Sequence, residues 1–177
     1  MLTICLLQWW NSYKIFYFSS RFEKRRDYYN TFGGKTILEG CTTKDELFDH
    51  IAKSIAAFVE KYEMDKNERY KCAFIFGFPV RHSDLVSGKL VRWTKGFQIP
   101  GVAGHDAKVM LEDAISKRND LNIDIVAFIN NSTSLLYGGA WKNPKCKIGL
   151  ILEQGVNASY VEDVNEVSAY FMIKFLS

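Results

Sequence analysis

Two adjacent asparagines, Asn130 and Asn131, follow a nearly continuous apolar stretch at residues 123–129. The stretch predicts a buried strand, central in its sheet, so both side chains are expected at its carboxyl end. Open α/β sheets bind ligands at that edge. An asparagine amide is both a hydrogen-bond donor and an acceptor, so either side chain could contact a polar ligand. Position alone leaves an ordinary polar strand end equally open.

Three other polar side chains stand in segments that predict loops or turns. Thr94 and Lys95 precede Gly96 in a long loop with several glycines, and Asn157 follows a turn at Gly155. A threonine hydroxyl donates or accepts, and a lysine carries three donors on a long stem. Each of these side chains can form hydrogen bonds from a predicted loop or turn.

Three patterns imitate known motifs without meeting their requirements. The Gly-Lys-Thr triplet at residues 34–36 would end a phosphate loop only with a glycine at position 29, which is Tyr29. Consecutive His, Ser and Asp at residues 82–84 cannot aim at one another in the order of a hydrolase triad. His50 and His105 lack partners at metal-ligand spacing, so no metal site is predicted.

Composition narrows the class of protein. The 177 residues are 47% hydrophobic and carry a formal charge of +3, too weak and dispersed to predict nucleic-acid binding. Four cysteines without a C-x-x-C pair indicate free thiols in a reducing compartment, hence a cytoplasmic location. The apolar run at residues 1–10 is shorter than the roughly 20 residues that span a bilayer, so no membrane association is predicted.

The elements that must position the candidate side chains alternate between strand and helix. Thr43 and Glu46 match a capping box that opens a helix whose apolar residues recur at helical spacing. Residues 1–10 are interpreted as a strand or as sequence of no settled structure, and the rest of 1–40 shows weak periodicity. Further strands are predicted at 72–78, 89–93, 123–129, 147–152 and 157–162, and helices at 106–118 and 132–141. This order indicates an α/β domain.

Several motifs in the same order resemble one family. Phe76-Gly77-Phe78-Pro79 and, later, Trp93-Thr94-Lys95-Gly96-Phe97 are similar to the F-S-F-P and W-T-K-G-F signature of eukaryotic hexokinases and glucokinases. Residues 126–132 resemble the family's V-A-x-x-N-D-T, and residues 155–160 resemble the end of its G-T-G-x-N-A-C-Y. The resemblance covers residues 42–167.

The resemblance implies a fold and a division into lobes. It predicts an α/β fold with a hexokinase-type small lobe, built from a mixed sheet with flanking helices. It also predicts the start of the large lobe, which is actin-like and ribonuclease-H-like. Residues 1–41 are then an uncertain N-terminal segment, residues 42–131 the small, sugar-binding lobe, and residues 132–177 an incomplete beginning of the large lobe.

The resemblance also implies roles for particular residues. Sugar contacts fall on Thr94, Lys95, Asn130 and Asn157, with Phe78 and Pro79 shaping the wall of the pocket. Asn131 stands where the family has the aspartate that takes the proton of the sugar 6-hydroxyl, and it is counted among the substrate-binding positions. Gln154 and Gly155 stand in the nucleotide turn. The implied substrate is glucose or another hexose, and the implied cofactors are ATP and Mg²⁺.

Departures from the family pattern predict impaired catalysis. A neutral amide at Asn131 cannot accept a proton near pH 7, and loss of a general base costs about 10²–10⁴ in rate. Glu153 and Gln154 replace the Thr-containing turn, which brings a negative charge toward a polyanion. Gly77 removes a serine contact, so sugar binding is expected to be weak. The upstream D-L-G-G-T segment is not recognisable.

The leading reading is therefore a hexokinase-family protein that does not phosphorylate sugar unaided and binds ATP unproductively. One alternative is a part of an active hexokinase whose missing segments occur in a longer isoform. Another is a non-catalytic protein that binds sugar or a protein partner through the ancestral sugar-binding lobe.

Overall fold

The computed structural model describes residues 41–94, 96–152, 156–163 and 165–166, together with the strand backbones at 2–9, 12–19 and 32–33. Within these ranges the strands are β1 (Leu2–Trp9), β2 (Ser12–Ser19), β3 (Phe32–Gly33), β4 (Tyr70–Phe76), β5 (Val80–His82), β6 (Gly88–Leu90), β7 (Ile123–Asn130), β8 (Ile148–Leu152) and β9 (Val156–Tyr160). The helices are α1 (Lys44–Lys61), α2 (Ala107–Ser116) and α3 (Asn131–Lys142).

The main sheet has five strands in the order β3-β2-β1-β4-β7. The first two strands pair antiparallel, as do β2 and β3, whereas β4 runs parallel to both β1 and β7. The predicted α/β class and mixed sheet are thereby confirmed. Of the two interpretations of residues 1–10, the structure has the strand, and the N-terminal segment supplies three strands to the same sheet as β4 and β7.

The predicted central position of β7 is wrong for the described part of the chain, where β7 is an edge strand. Its backbone still has a partner on the outer side, because the Phe128 amide donates to the Leu85 carbonyl over 2.9 Å. A loop thus meets the edge where another strand was expected. An apolar sequence predicts that a strand is buried, but it does not distinguish a strand covered by a loop from one covered by a neighbouring strand.

Helix α1 begins as predicted. Thr43 is the N-cap, with the Glu46 amide donating to its Oγ1 over 3.3 Å. Glu46 Oε2 accepts in return from the amides of Thr42 at 2.6 Å and Thr43 at 3.1 Å. The buried stripe of α1 then packs on the sheet: Leu47, Phe48, Ile51, Ala52, Ile55, Phe58 and Val59. The cap fixes where that stripe starts.

Thr43→Ala is expected to lower the free energy of unfolding by about 1 kcal/mol, because the first turn loses a side-chain acceptor. Thr43→Ser keeps the hydroxyl and serves as the matched control, and because serine caps at least as well as threonine, its stability should not fall below the parent's. Urea denaturation of the two variants and the parent measures the difference. Equal losses in both variants would show that the hydroxyl does not act as a cap.

The cap also predicts a pH dependence. Hydrogen bonds from Thr42 and Thr43 lower the pKa of Glu46. A carboxyl whose pKa is lower in the folded state stabilises the fold above its unfolded pKa, about 4.3, and loses that effect as the pH falls through the folded value. Glu46→Gln is therefore expected to be less stable than the parent at pH 7, and this difference in the free energy of unfolding should shrink at acidic pH.

Aromatic rings fill the space between the sheet and the segment at residues 88–102. Phe76, fully buried, has its ring centroid 4.9 Å from Phe78 and 5.9 Å from Phe128. The ring centroid of Phe78 in turn lies 4.8 Å from those of both Trp93 and Phe97. The cluster joins β4, β7 and the loop that carries Thr94, so these segments are held by one packed core.

The hairpin of β8 and β9 divides its side chains between two faces. The inner face lies on α3, where a Cβ at Gly149 would stand only 3.0 Å from the Leu136 nitrogen. Glycine is therefore required for this approach. The outer face is apolar and exposed, and its members pair across the strands: Ile148 with Tyr160, Leu150 with Ala158, and Leu152 with Val156. Nothing in the described part of the chain covers it.

Candidate functional site

Asn130 joins three elements at the carboxyl edge of the sheet. It is the last residue of β7 and the N-cap of α3, with Oδ1 accepting from the Ser132 amide at 3.0 Å. Its Nδ2 donates to the carbonyls of Phe76 at 3.4 Å and Phe78 at 3.1 Å. The backbone at the end of β4 is thus tied to the start of α3 through one amide side chain.

The hydrogen-bonding capacity of the Asn130 amide is fully used. Two N–H groups meet two carbonyls, and Oδ1 receives both the Ser132 amide and the Ser132 Oγ, the latter at 2.9 Å. A side-chain amide offers two donors and two acceptor sites. The orientation of this amide is therefore set on both sides, with nitrogen toward β4 and oxygen toward α3.

Asn131 is half-buried in the first turn of α3. Its Oδ1 accepts from the Ser132 amide at 2.9 Å, beside the similar contact from Asn130. A neutral amide placed here supplies a dipole and no proton acceptor of useful basicity near pH 7. Its amide pairs with the Ser132 backbone, while Asn130 is the N-cap of α3, and Asn131 cannot act as a general base.

Asn157 approaches the same point from β9. Its Nδ2 donates to Ser132 Oγ over 3.2 Å, and its Oδ1 accepts from the Ala158 amide at 3.0 Å. Ser159 Oγ donates to the Ser132 carbonyl at 2.7 Å. The structure therefore brings Asn130, Asn131 and Asn157 together around one buried serine.

The other predicted contacts lie on the aromatic side. Phe78 is buried and meets Asn130 through its carbonyl, whereas Pro79 is exposed. Thr94 is half-buried, and its carbonyl accepts from the Phe97 amide at 3.2 Å across a turn in which Gly96 has a φ of +81°. Among the described residues, no hydrogen bond joins Thr94 to the asparagines.

Three predicted site residues, Lys95, Gln154 and Gly155, lie outside the described residues, as does Glu153. Their predicted roles in sugar and nucleotide contact stay predictions.

Ser132 is the residue that sequence reasoning missed. It is 5% exposed and one of two buried polar side chains in the described part of the chain. A hydroxyl two positions after Asn130 reads as an ordinary helix start. The available signal is the third position of the N-D-T pattern, where the family also carries a hydroxyl.

His82 is the ionisable group that packs on β7 beneath this site. Its ring centroid lies 5.4 Å from that of Phe128, and its Nε2 is buried without a hydrogen-bond partner in the described ranges. Burial lowers the pKa of His82, so the ring is neutral at pH 7.

The described residues contain no group of three or more His, Cys, Asp or Glu side chains that could hold a metal ion. No helix among them is long and apolar enough to cross a membrane. The donors assembled around Ser132 are amides and hydroxyls, which suit a neutral polyhydroxylated ligand better than a cation or a polyphosphate.

Comparison with known proteins identifies close similarities. The sequence model of the family described as Hexokinase matches residues 19–141, beginning upstream of the predicted limit at 42 and ending before the predicted limit at 167. Hexokinase-1 of Mus musculus is 39% identical over 131 residues, which cover 74% of this chain. Hexokinase-2 of Equus caballus is 38% identical over the same length.

A solved structure of hexokinase from Schistosoma mansoni, complexed with glucose, superposes with a TM-score of 0.78 at 29% identity. The match covers 96% of this chain and 38% of that one. Against the two curated relatives, the chain spans 13% and 14% of their length.

Proposed function

The chain belongs to the hexokinase family, and on that premise we propose that it presents a hexose-binding lobe that does not phosphorylate sugar by itself. The observation that carries the proposal is the asparagine group around Ser132, which combines amides on the predicted sugar positions with a neutral side chain at the base position. We further propose that residues 42–131 form the small lobe and that residues 132–177 begin the large lobe.

Support for a hexose comes from the chemistry of the site and from a relative. Hydroxyl groups need both donors and acceptors at defined positions, and a buried polar group left unpaired costs about 1–3 kcal/mol. The Asn157 side chain is held by Ser132 and the Ala158 amide, whereas the Asn130 amide is occupied by protein contacts that tie β7 to β4 and α3. The hexokinase of Schistosoma mansoni that this chain resembles was solved with glucose.

Impaired phosphoryl transfer follows from Asn131. The family's reaction requires a base for the proton of the attacking hydroxyl, and the Asn131 amide is instead paired with the Ser132 backbone. The family uses ATP and Mg²⁺, yet no described cluster fits Mg²⁺. The predicted nucleotide residues Gln154 and Gly155 lie outside the described ranges.

A second function is favoured by the outer face of the β8–β9 hairpin. Six cross-strand side chains, all apolar, stand uncovered in the described part of the chain. Such a face is typical of a surface that packs against further structure. The alternative is therefore that these residues form part of an active hexokinase whose further segments cover that face.

Glucose titration followed by NMR tests the proposed function. We expect saturable binding in the millimolar range, a free energy of about −4 kcal/mol. Asn157→Ala removes an exposed amide and should weaken binding by roughly 2- to 12-fold. Asn119→Ala, an exposed asparagine in a turn, is the matched control and should change nothing. Absence of saturable glucose binding, or micromolar affinity, would contradict the proposal.

A further inference from the structure

Ser132 lies at the centre of the asparagine group and contacts all three amides. Its Oγ donates to Asn130 Oδ1 at 2.9 Å and accepts from Asn157 Nδ2 at 3.2 Å. Its backbone amide donates to the Oδ1 atoms of Asn130 and Asn131. Its carbonyl accepts from Ser159 Oγ at 2.7 Å. Few side chains of the described protein are both polar and as deeply buried.

The donor and acceptor roles in this group are determined by elimination. Asn130 Nδ2 is directed to two backbone carbonyls, so its Oδ1 is an acceptor and the Ser132 hydroxyl must donate to it. The hydroxyl has a single proton. Its remaining capacity is as an acceptor, which the Asn157 amide fills. The chain of donors therefore runs from Asn157 through Ser132 to Asn130.

We propose that Ser132 is a positioning residue that couples the fixed Asn130 amide to Asn157, so that the Asn157 amide presents one orientation to a hexose; this inference rests on the proposed function. The coupling joins the end of β7, the first turn of α3 and strand β9. One N–H of Asn157 points into the relay, and the other is not engaged by any described residue. The relay therefore selects which hydrogen of Asn157 is offered to a sugar hydroxyl.

The same contacts would serve a simpler role if they only tethered the hairpin to α3. Ser159 separates the two roles, because its hydroxyl also bridges β9 to Ser132 but meets the backbone carbonyl. It touches neither side-chain amide. Ser159→Ala therefore removes a comparable tether while leaving the relay in place.

The experiment is a ¹⁵N NMR comparison of the full 177-residue chain with Asn157→Ala, Ser132→Ala, Ser132→Thr and Ser159→Ala, and with each serine change combined with Asn157→Ala. The side-chain amides of Asn130, and of Asn157 where it is retained, are observed with and without glucose. In the parent, Asn157→Ala should shift the Asn130 side-chain signal. In the Ser132→Ala background the same change should leave it unmoved. Ser132→Thr retains a hydroxyl and should preserve the coupling, and Ser159→Ala should preserve it as well.

Glucose affinity provides the second readout. Ser132→Ala should weaken glucose binding by roughly 2- to 12-fold, because the hydrogen bond that orients the Asn157 amide is lost. Ser159→Ala should leave the glucose affinity unchanged. Equal effects of Ser132→Ala and Ser159→Ala on the amide signals would overturn the inference. Coupling without any glucose binding would retain the relay and overturn the proposed function, so the two failures are distinguishable. Should Ser132→Ala not fold, the response of the Asn130 signal to Asn157→Ala in the Ser132→Thr background still decides the question.

Discussion

Asn131→Asp in the 177-residue chain is expected to leave glucose phosphorylation undetectable, although it restores the family's carboxylate at the base position. The base is one member of a group that acts as a unit, and restoring one member recovers little while others remain altered. Glu153 and Gln154 still replace the family's nucleotide turn. The measurement is a coupled assay for glucose 6-phosphate.

A chimera tests the same substitution beside a complete large lobe. Residues 1–152 would be joined to a complete large lobe from an active hexokinase with its G-T-G turn intact, keeping strands β1 to β3 in the sheet. In that protein Asn131→Asp should raise turnover by about 10²–10⁴, the contribution of a positioned general base. Turnover of 1–10³ per second by the single mutant of the 177-residue chain would show that its nucleotide site is functional.

Phe76→Ala is expected to lower the free energy of unfolding by about 3–5 kcal/mol, because it leaves a cavity at the centre of the aromatic cluster. Phe76 is fully buried, with ring centroids of Phe74, Phe78 and Phe128 within 6 Å. Domains of this kind are stabilised by about 5–15 kcal/mol in total. The loss is therefore a large part of the whole, and urea denaturation measures it.

Tyr137→Ala is the matched control, since this aromatic side chain on α3 is 64% exposed. Its effect should lie within about 0.5 kcal/mol of zero. The Phe76 backbone also accepts a hydrogen bond from Asn130, so Phe76→Ala should disturb the Asn130 side-chain signal as well. A loss below about 1.5 kcal/mol for Phe76→Ala would show that the cluster relaxes into the vacated space.

Local patterns in the sequence predict local structure well. The capping box at Thr43 and Glu46 marks the first turn of α1, because both partners lie within four residues of each other. The strand at residues 72–78 and the helix at 132–141 shift by one or two positions in the structure, to Tyr70–Phe76 and Asn131–Lys142. The strand expected at 89–93 shortens to Gly88–Leu90.

The sequence does not identify contacts between residues that lie far apart in the chain. The apolar run of β7 predicts burial but does not say that a loop carbonyl, from Leu85, meets its edge. Residues 12–19 form a strand by pairing with β1, and residues 32–33 form one by pairing with β2, so their weak periodicity was uninformative. Ser132 acquires its role from Asn157, which lies on another element.

The parallel pairing of β1 with β4 has a consequence for how the chain reaches its fold. Thr3 pairs with Lys71, so β1, the central strand of the sheet, cannot pair with β4 until 68 further residues have been synthesised. On a ribosome adding 5–20 residues per second, that delay is roughly 3–14 s. The hairpin of β1 and β2 needs only neighbouring residues and can form earlier, leaving one edge of β1 open. Nascent chains are therefore most exposed to mispairing in that interval, and synthesis speed should govern the yield of folded protein.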